Sequence, residues 1–149
     1  MLQILVATIG IWLSTSYAVL NERGKAEQFI MATGDVAATN FISYRDAVVR
    51  YWTANPSATG LVVDASLTWQ TGFIRDTRWT NVISGGELYV YSTAAPPPAM
   101  LQAVYQKAGN YIMVGTKNNA GTLTNAAGSV IAATLPAVIP AGALVFVGG

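Results

Sequence analysis

The sequence of 149 residues contains no histidine and no cysteine, and only 10% of its residues are charged. Without these two residue types the chain cannot form disulfides, zinc fingers, iron–sulfur sites, thiol nucleophiles or histidine-based acid/base pairs. Eight Lys and Arg balance seven Asp and Glu, which leaves a net charge of +1. A nucleic-acid-binding domain normally carries a basic patch instead. The composition therefore disfavours both an enzyme and a nucleic-acid binder.

The hydrophobic content of 52% is most evident at the N-terminus. No side chain that is charged at pH 7 precedes Glu22, and the polar interruptions of the apolar run over residues 2–20 are all uncharged. A helix of this length is about 28 Å long, which is close to the hydrocarbon thickness of a bilayer. Residues 1–20 are therefore predicted to form an uncleaved membrane anchor that places the rest of the chain outside the cytoplasm.

Two other interpretations of this segment stay open. Ser16 and Ala18 are small residues at the −3 and −1 positions of a cleavage site after Ala18, so a secretory signal would release a secreted or periplasmic ligand-binding module. Such signals begin with a basic region, which is absent here. A buried core helix is the third interpretation. The membrane orientation is weakly predicted, because Arg23 and Lys25 follow the span and the positive-inside rule favours a cytoplasmic location for them.

A second helical pattern follows without an intervening proline. Apolar residues recur at steps of three and four over more than six turns, which is the period of an amphipathic helix. Pro56 ends the pattern, so residues 21–55 are predicted as an amphipathic helix, continuous with the anchor or broken at most near Gly24. Gly34 is its weak point, where a bend is expected. The apolar stripe, which should pack on a sheet, comprises Phe29/Ile30, Thr33, Val36/Ala37, Phe41, Tyr44, Val48 and Tyr51/Trp52.

Residues 56–149 have the pattern of a sheet domain, with short apolar runs separated by Gly, Asn, Pro, Ser and Thr. The last strand, 143–147, lacks polar alternation and should be buried on both faces or face a partner. We predict an α+β fold in which the long N-terminal helix packs on a C-terminal antiparallel sheet. The predicted elements are an extended piece at 60–63, a helical turn from Asp64, a strand at 87–91, a helix over 99–108 that stops at Gly109, strands at 111–114 and 122–123, and the last strand.

The sequence offers no constellation of residues for catalysis or ligand binding. The carboxylates of the C-terminal half are scattered, and the serines have neither a histidine nor a Ser/Lys spacing signature. The glycine-containing loops at 84–86 and 126–129 lack the Gly-Lys-Ser/Thr ending of a phosphate-binding loop. The charged group at 75–78 is interpreted as a solvated loop, with an anion site as the alternative. We predict no catalytic, cofactor-binding or metal-binding residue and no small-molecule substrate.

Three blocks of sequence carry a resemblance to a known family: the uncharged start at 2–20, WTNVI at 79–83 with GELYVY at 86–91, and LPAVIPAGALV at 135–145. With these blocks the sequence resembles the PilM family of conjugative-plasmid thin (type IVB) pilus biogenesis proteins. Its succession of hydrophobic helix, amphipathic helix and Gly- and Asn-rich domain is similar to type IV pilins and pseudopilins. The resemblance implies a structural role in an inner-membrane apparatus, through contacts with other pilus-assembly or pilin proteins.

One departure from true pilins bears on that role. Pilins carry a basic leader that ends in Gly and a Glu at the fifth mature position, whereas here no Lys or Arg precedes Gly10 and no Glu occurs before Glu22. The departure favours a membrane-resident assembly factor over a subunit of the pilus shaft. In such a factor, the apolar last strand and the face formed by Tyr89 and Tyr91 are candidate contact surfaces, with burial in the core as the alternative.

Overall fold

The structure, a computed structural model, describes the backbone of residues 2–148 and the side chains of residues 22–131 and 134–148. It consists of one long helix, a sheet of six strands and a short second helix, so the predicted α+β class is confirmed. The elements are α1 (Leu2–Ala54), a 3₁₀ turn (Asp64–Ser66), β1 (Trp79–Ser84), β2 (Glu87–Ser92), α2 (Met100–Lys107), β3 (Val114–Lys117), β4 (Thr122–Asn125), β5 (Val130–Thr134) and β6 (Leu144–Val147).

Helix α1 is a single element of 53 residues. It ends at Ala54 because Pro56 follows closely, and the residue before a proline disfavours the helical conformation. Gly24 does not interrupt it, so of the two predicted alternatives, a continuous helix or a break near Gly24, the structure has the continuous helix. The predicted membrane anchor at 1–20 depends on side chains that lie outside the described ones. Among the described residues, no helix is both long enough and apolar enough to cross a membrane.

The six strands form one antiparallel sheet in the order β1-β2-β6-β3-β4-β5. Strand β6 is last in sequence but lies in the interior of the sheet, where Phe146 pairs with Val90 on one side and with Val114 on the other. All four of its residues are buried. The prediction that the last strand is buried on both faces is therefore confirmed.

Both helices cover one face of the sheet. Phe41 of α1 is fully buried there and meets the indole of Trp79 edge-on, with 5.5 Å between the ring centroids. The apolar period of α1 thus matches a real core over its C-terminal part. The buried side chains of this core come from α1, α2 and the sheet: Ala37, Ala38, Phe41, Tyr44, Ala47, Val48, Val62, Leu67, Trp79, Ile83, Leu88, Val90, Met100, Val104, Val114, Leu144 and Phe146.

Gly34, the weak point of the predicted amphipathic helix, has a packing role. A Cβ atom at this position would lie 2.8 Å from the carbonyl oxygen of Pro98 and 3.1 Å from the backbone nitrogen of Met100. Real Cβ atoms do not approach backbone atoms this closely, so only glycine fits here without a shift. The missing side chain lets α1 contact the segment that begins α2.

The opposite face of the sheet is covered by the loop between β5 and β6. Leu135 and Ile139 of this loop pack with buried side chains of β2, β4 and β6. Lys117 is buried beneath the loop, and its Nζ donates hydrogen bonds to the carbonyl oxygens of Pro136, at 2.9 Å, and Ile139, at 2.8 Å. The loop is thereby fixed on the sheet, and it covers the central strands on this face.

The sequence patterns did not predict strands β1 and β5. They predicted more regular secondary structure in the segment before β1 than the structure has. Strand β1 turns into β2 through Gly85 and Gly86, which have φ angles of 63° and 79°. Positive φ at both central residues is the requirement of a tight type I′ hairpin turn, and it explains why both residues are glycine. The predicted extended piece is a single bridge between Gly60 and Ile83, and the helical turn after it has three residues.

Candidate interaction surfaces

The two contact surfaces predicted from the sequence lie in the core. Tyr89 and Tyr91 of β2 are only 9% and 5% exposed and pack beneath the loop between β5 and β6. Burial raises the pKa of both phenol groups above the ordinary value of 10.0. Strand β6 is buried along its whole length. The alternative interpretation, core packing, is thus confirmed for both features, and neither is available to a partner in this fold.

The charges of the loop at 75–78 are matched within the protein. The guanidinium of Arg78 donates three hydrogen bonds of 2.6 to 3.0 Å to the Asp76 carboxylate, and these bonds hold the pKa of that carboxyl below its ordinary value of 3.8. Arg75 forms an ion pair with Asp64 at 3.0 Å and lies over the ring of Tyr44. Both arginines already have carboxylate partners, which favours a structural role for this loop over an anion site.

Asn40 of α1 holds this loop against the helix. Its Oδ1 accepts hydrogen bonds from the indole nitrogen of Trp79, at 2.9 Å, and from the backbone nitrogen of Asp76, at 3.3 Å. Its Nδ2 donates to the carbonyl oxygen of Ile74 at 2.8 Å. The backbone of Ile74 is thus fixed beside α1, while its side chain is 83% exposed.

The most exposed large apolar side chains among those described lie on α1 and on this loop. Besides Ile74, they are Phe29, Met31 and Val36, which are 73%, 67% and 71% exposed. The sequence pattern assigned Phe29/Ile30, Thr33 and Val36 to the stripe that packs on the sheet, and for these exposed residues the prediction is wrong. Among the residues of α1 whose burial is described, Gly34 is the first buried one. The helix projects beyond the domain over the residues that precede it.

Val36 stands between two open hollows. One, of about 380 Å³, lies between α1 and the Asp76–Arg78 ion pair and has small side chains in its floor, among them Ala32 and Ala37. The other, of about 390 Å³, is lined by Thr39, Ser43 and Ile74 among others. Alternating ridges and hollows of this kind are the surface shape with which one helix packs against another.

A third hollow, of about 450 Å³, lies where α1, α2 and β6 meet. Its charges have internal partners: Arg45 pairs with Asp46 at 2.9 Å, and Lys107 with Asp35 at 2.8 Å. The Arg45 guanidinium also lies 4.4 Å from the ring centroid of Phe146. The lining therefore favours neither an anionic nor a cationic ligand. Among the described residues, no three Asp or Glu side chains are grouped closely enough to hold a metal ion.

Comparison with known proteins places the chain in a family. A family model described as PilM matches residues 9–147. The chain belongs to the PilM family. It is accordingly a pilus-related protein, and the predicted resemblance to this family is confirmed. No curated protein matches the chain.

Two crystal structures of PilM proteins are similar to this PilM-family chain. The one from Escherichia coli B7A has 25% sequence identity and a TM-score of 0.61, covering 78% of this chain and 92% of that protein. The one from Pseudomonas aeruginosa 2192 has 30% identity and a TM-score of 0.45, covering 77% of this chain and 95% of that protein. The first comparison shows that the E. coli protein shares this fold.

Proposed function

We propose that this PilM-family chain is a non-enzymatic component of a type IVB (thin) pilus assembly apparatus used in conjugative plasmid transfer. In this proposal residues 2–20 anchor the chain in the inner membrane, and the α+β domain lies in the periplasm in a pilin-like arrangement. It acts by contacts with other pilus-assembly or pilin proteins. The observation that carries the proposal is the continuity of α1, which joins the uncharged N-terminal segment to the core of the domain without a break.

The length of α1 suits a rigid spacer between a membrane and a domain. A helix of 53 residues is about 80 Å long, of which the first 20 residues take up about 30 Å, the thickness of a bilayer core. The exposed turns of α1 that follow would hold the domain about 20 Å from the membrane surface. Because this spacer is helical, it fixes the distance of the domain from the bilayer, which a flexible linker would not.

A role in protein contacts, as opposed to chemistry, is supported by the described surface. It exposes large apolar side chains, among them Phe29, Met31 and Val36, and exposed apolar patches mark interaction sites. Its charged groups mostly serve structure, as in the ion pairs Arg78–Asp76 and Lys107–Asp35. Apolar surface without an unpaired charged cluster is typical of a binding face for another protein.

Deletion of residues 2–20 tests the anchor. We expect the wild-type chain in the membrane fraction of a piliated host and the deleted chain in the soluble fraction, with loss of pilus assembly. Two further chains control for failed export: one with a cleavable secretory signal in place of residues 2–20, and one with an unrelated membrane-spanning helix there. We expect pili only from the second. Normal pili from the exported, unanchored domain would contradict the proposal.

A second candidate function is a secreted or periplasmic ligand-binding module that is released by cleavage after Ala18. The small residues Ser16 and Ala18 favour it, since they match the pattern that signal peptidase requires. The intact mass of the mature chain separates the two functions. A retained chain has a mass of 15.7 kDa, whereas release would give a chain that begins at Val19.

A further inference from the structure

The loop between β5 and β6 is attached to the sheet through very few groups. At its start, the backbone nitrogen of Leu135 donates to the carbonyl oxygen of Gly121 at 2.9 Å. At its end, the carbonyl oxygen of Ala143 accepts from the backbone nitrogen of Lys117 at 3.0 Å. We call the segment between these two ends, residues 136–142, the strap. It contains no helix or strand, and five of its seven residues are exposed.

A single residue of the sheet makes the hydrogen bonds that hold the strap. Within the part of the chain that the structure describes, every hydrogen bond from the strap to the sheet ends at Lys117. Its Nζ donates to the carbonyl oxygens of Pro136 and Ile139, and its own carbonyl oxygen accepts from the backbone nitrogen of Gly142 at 2.7 Å. Ile139 is the one large apolar side chain of the strap that is buried. One cation and one apolar side chain therefore hold the strap on the sheet.

The charge of Lys117 lowers the cost of opening the strap. Lys117 is only 9% exposed, its Nζ is bonded to carbonyl oxygens alone, and no charged side chain follows it in the sequence. Removing an ammonium group from water costs free energy that a carboxylate partner would offset. Opening of the strap returns this group to water, so the hydration gained offsets part of the hydrogen bonding and burial that are lost.

We propose that the strap is a hinged cover with Lys117 as its latch, and that it opens while the six-stranded sheet stays folded. Gly142 has a φ of 79°, and glycine can change its backbone conformation with little steric penalty, so it suits a hinge. The strap covers the apolar cluster that includes Tyr89, Tyr91 and Leu123. The closed state seals this second core, and the open state exposes it. This property of the domain goes beyond the proposed function and does not depend on it.

Thiol labelling measures the opening, because the chain has no cysteine of its own. Leu123→Cys places a thiol beneath the strap, and Leu144→Cys places one in the core between the sheet and the helices; both leucines are fully buried. In the full-length chain in detergent solution, we expect a thiol reagent to label Leu123→Cys at least about tenfold faster, since local opening needs less free energy than unfolding. Equal labelling rates would overturn the proposal.

Lys117→Met tests the latch, because methionine is similarly long and unbranched but donates no hydrogen bond. In this background the labelling of Leu123→Cys should accelerate at least about tenfold, since two hydrogen bonds from a charged donor are lost. The rate for Leu144→Cys should stay the same. Lys107→Met is the matched control: Lys107 pairs with Asp35 far from the strap, and its loss should change neither rate.

Three results with Lys117→Met would overturn the latch. An unchanged or slower labelling of Leu123→Cys would show that Lys117 does not hold the strap. An equal acceleration for Leu123→Cys and Leu144→Cys would show that Lys117 stabilises the whole domain and not the strap. The same acceleration of Leu123→Cys labelling by Lys107→Met would show that the loss of any lysine has this effect.

Discussion

The two halves of the described part of α1 follow the same apolar period but have opposite surroundings. Between residues 37 and 48 six side chains are buried, whereas between residues 22 and 33 none is buried. Helical periodicity depends only on the chain itself, so it identifies the face on which apolar residues gather. Whether the same chain supplies an element to cover that face depends on where the sheet ends. An apolar stripe on a helix therefore predicts a contact, but it does not tell whether the stripe is covered by the same chain.

Because of this difference, the two halves of α1 contribute unequally to the stability of the fold. Burial of one large apolar side chain contributes about 1.5 to 3 kcal/mol, and within one chain only the half that packs on the sheet gains it. Within the chain, the projecting half gains no such burial and depends on helix propensity. Substitutions matched across the two halves should therefore have unequal effects on unfolding.

The largest difference is expected between Phe41→Ala and Phe29→Ala. Phe41 is fully buried against Trp79, so its truncation should lower the free energy of unfolding by about 3 to 5 kcal/mol. Phe29 is 73% exposed, and its truncation should change that energy by no more than about 0.5 kcal/mol in the monomer. Urea denaturation in dilute detergent solution measures both. A loss above about 1 kcal/mol for Phe29→Ala would contradict the projection of this half.

A smaller difference is expected between the same substitution at two glycines of α1. Gly24 has nothing within 4 Å of a Cβ position, so Gly24→Ala should stabilise the helix by about 1 kcal/mol. Gly34→Ala would force a Cβ against the Pro98 carbonyl oxygen and should destabilise the protein by about 1 to 3 kcal/mol despite the better helix propensity. Thermal unfolding should show midpoint shifts of opposite sign. Stabilisation by both changes would show that α1 and the start of α2 are not in close contact.

The smallest effect concerns pH and the loop that flanks α1. Hydrogen bonds from Arg78 lower the pKa of Asp76 below 3.8 in the folded state, so this pair contributes stability above about pH 4 that is lost as the pH falls through the folded pKa. Asp76→Asn should make the free energy of unfolding less dependent on pH in that range and cost less than about 1 kcal/mol at pH 7. The control on the projecting half is Glu22→Gln, which alters the exposed pair with Lys25 and should have a smaller effect at pH 7. An unchanged acid dependence in Asp76→Asn would show that another group is responsible.

Elements with strong local signals could be predicted from the sequence, and β1 shows why others could not. Its buried positions are Trp79, Asn81 and Ile83, so a polar residue interrupts the apolar alternation. Asn81 can be buried because its Nδ2 donates to the Tyr44 hydroxyl at 2.8 Å and its Oδ1 accepts from the backbone nitrogen of Val62 at 2.9 Å. These partners are distant in sequence. A strand whose core includes a satisfied polar side chain therefore has no local signature.

Whether an apolar face is covered or open depends even more on distant parts of the chain. The burial of Tyr89 and Tyr91 results from a loop without periodicity, which Lys117 holds on the sheet through backbone carbonyl groups. Phe29 is exposed because the domain ends before it along α1, and Val36 is exposed because it lies on the side of α1 that faces away from the sheet. The sequence pattern identified all four residues as parts of apolar faces, but only the tertiary structure distinguishes a covered face from an open one.

The place of β6 in the sheet has a consequence for how the domain is formed. The hairpin of β1 and β2 and the meander of β3, β4 and β5 share no hydrogen bonds, because β6 lies between them. Neither part can join the other before residues 144–147 are inserted, and closing such long loops is slow because the entropy is lost before the contacts form. Until insertion, the inner edges of β2 and β3 have unpaired backbone groups. Folding intermediates of this domain are therefore most prone to wrong strand pairing at these two edges.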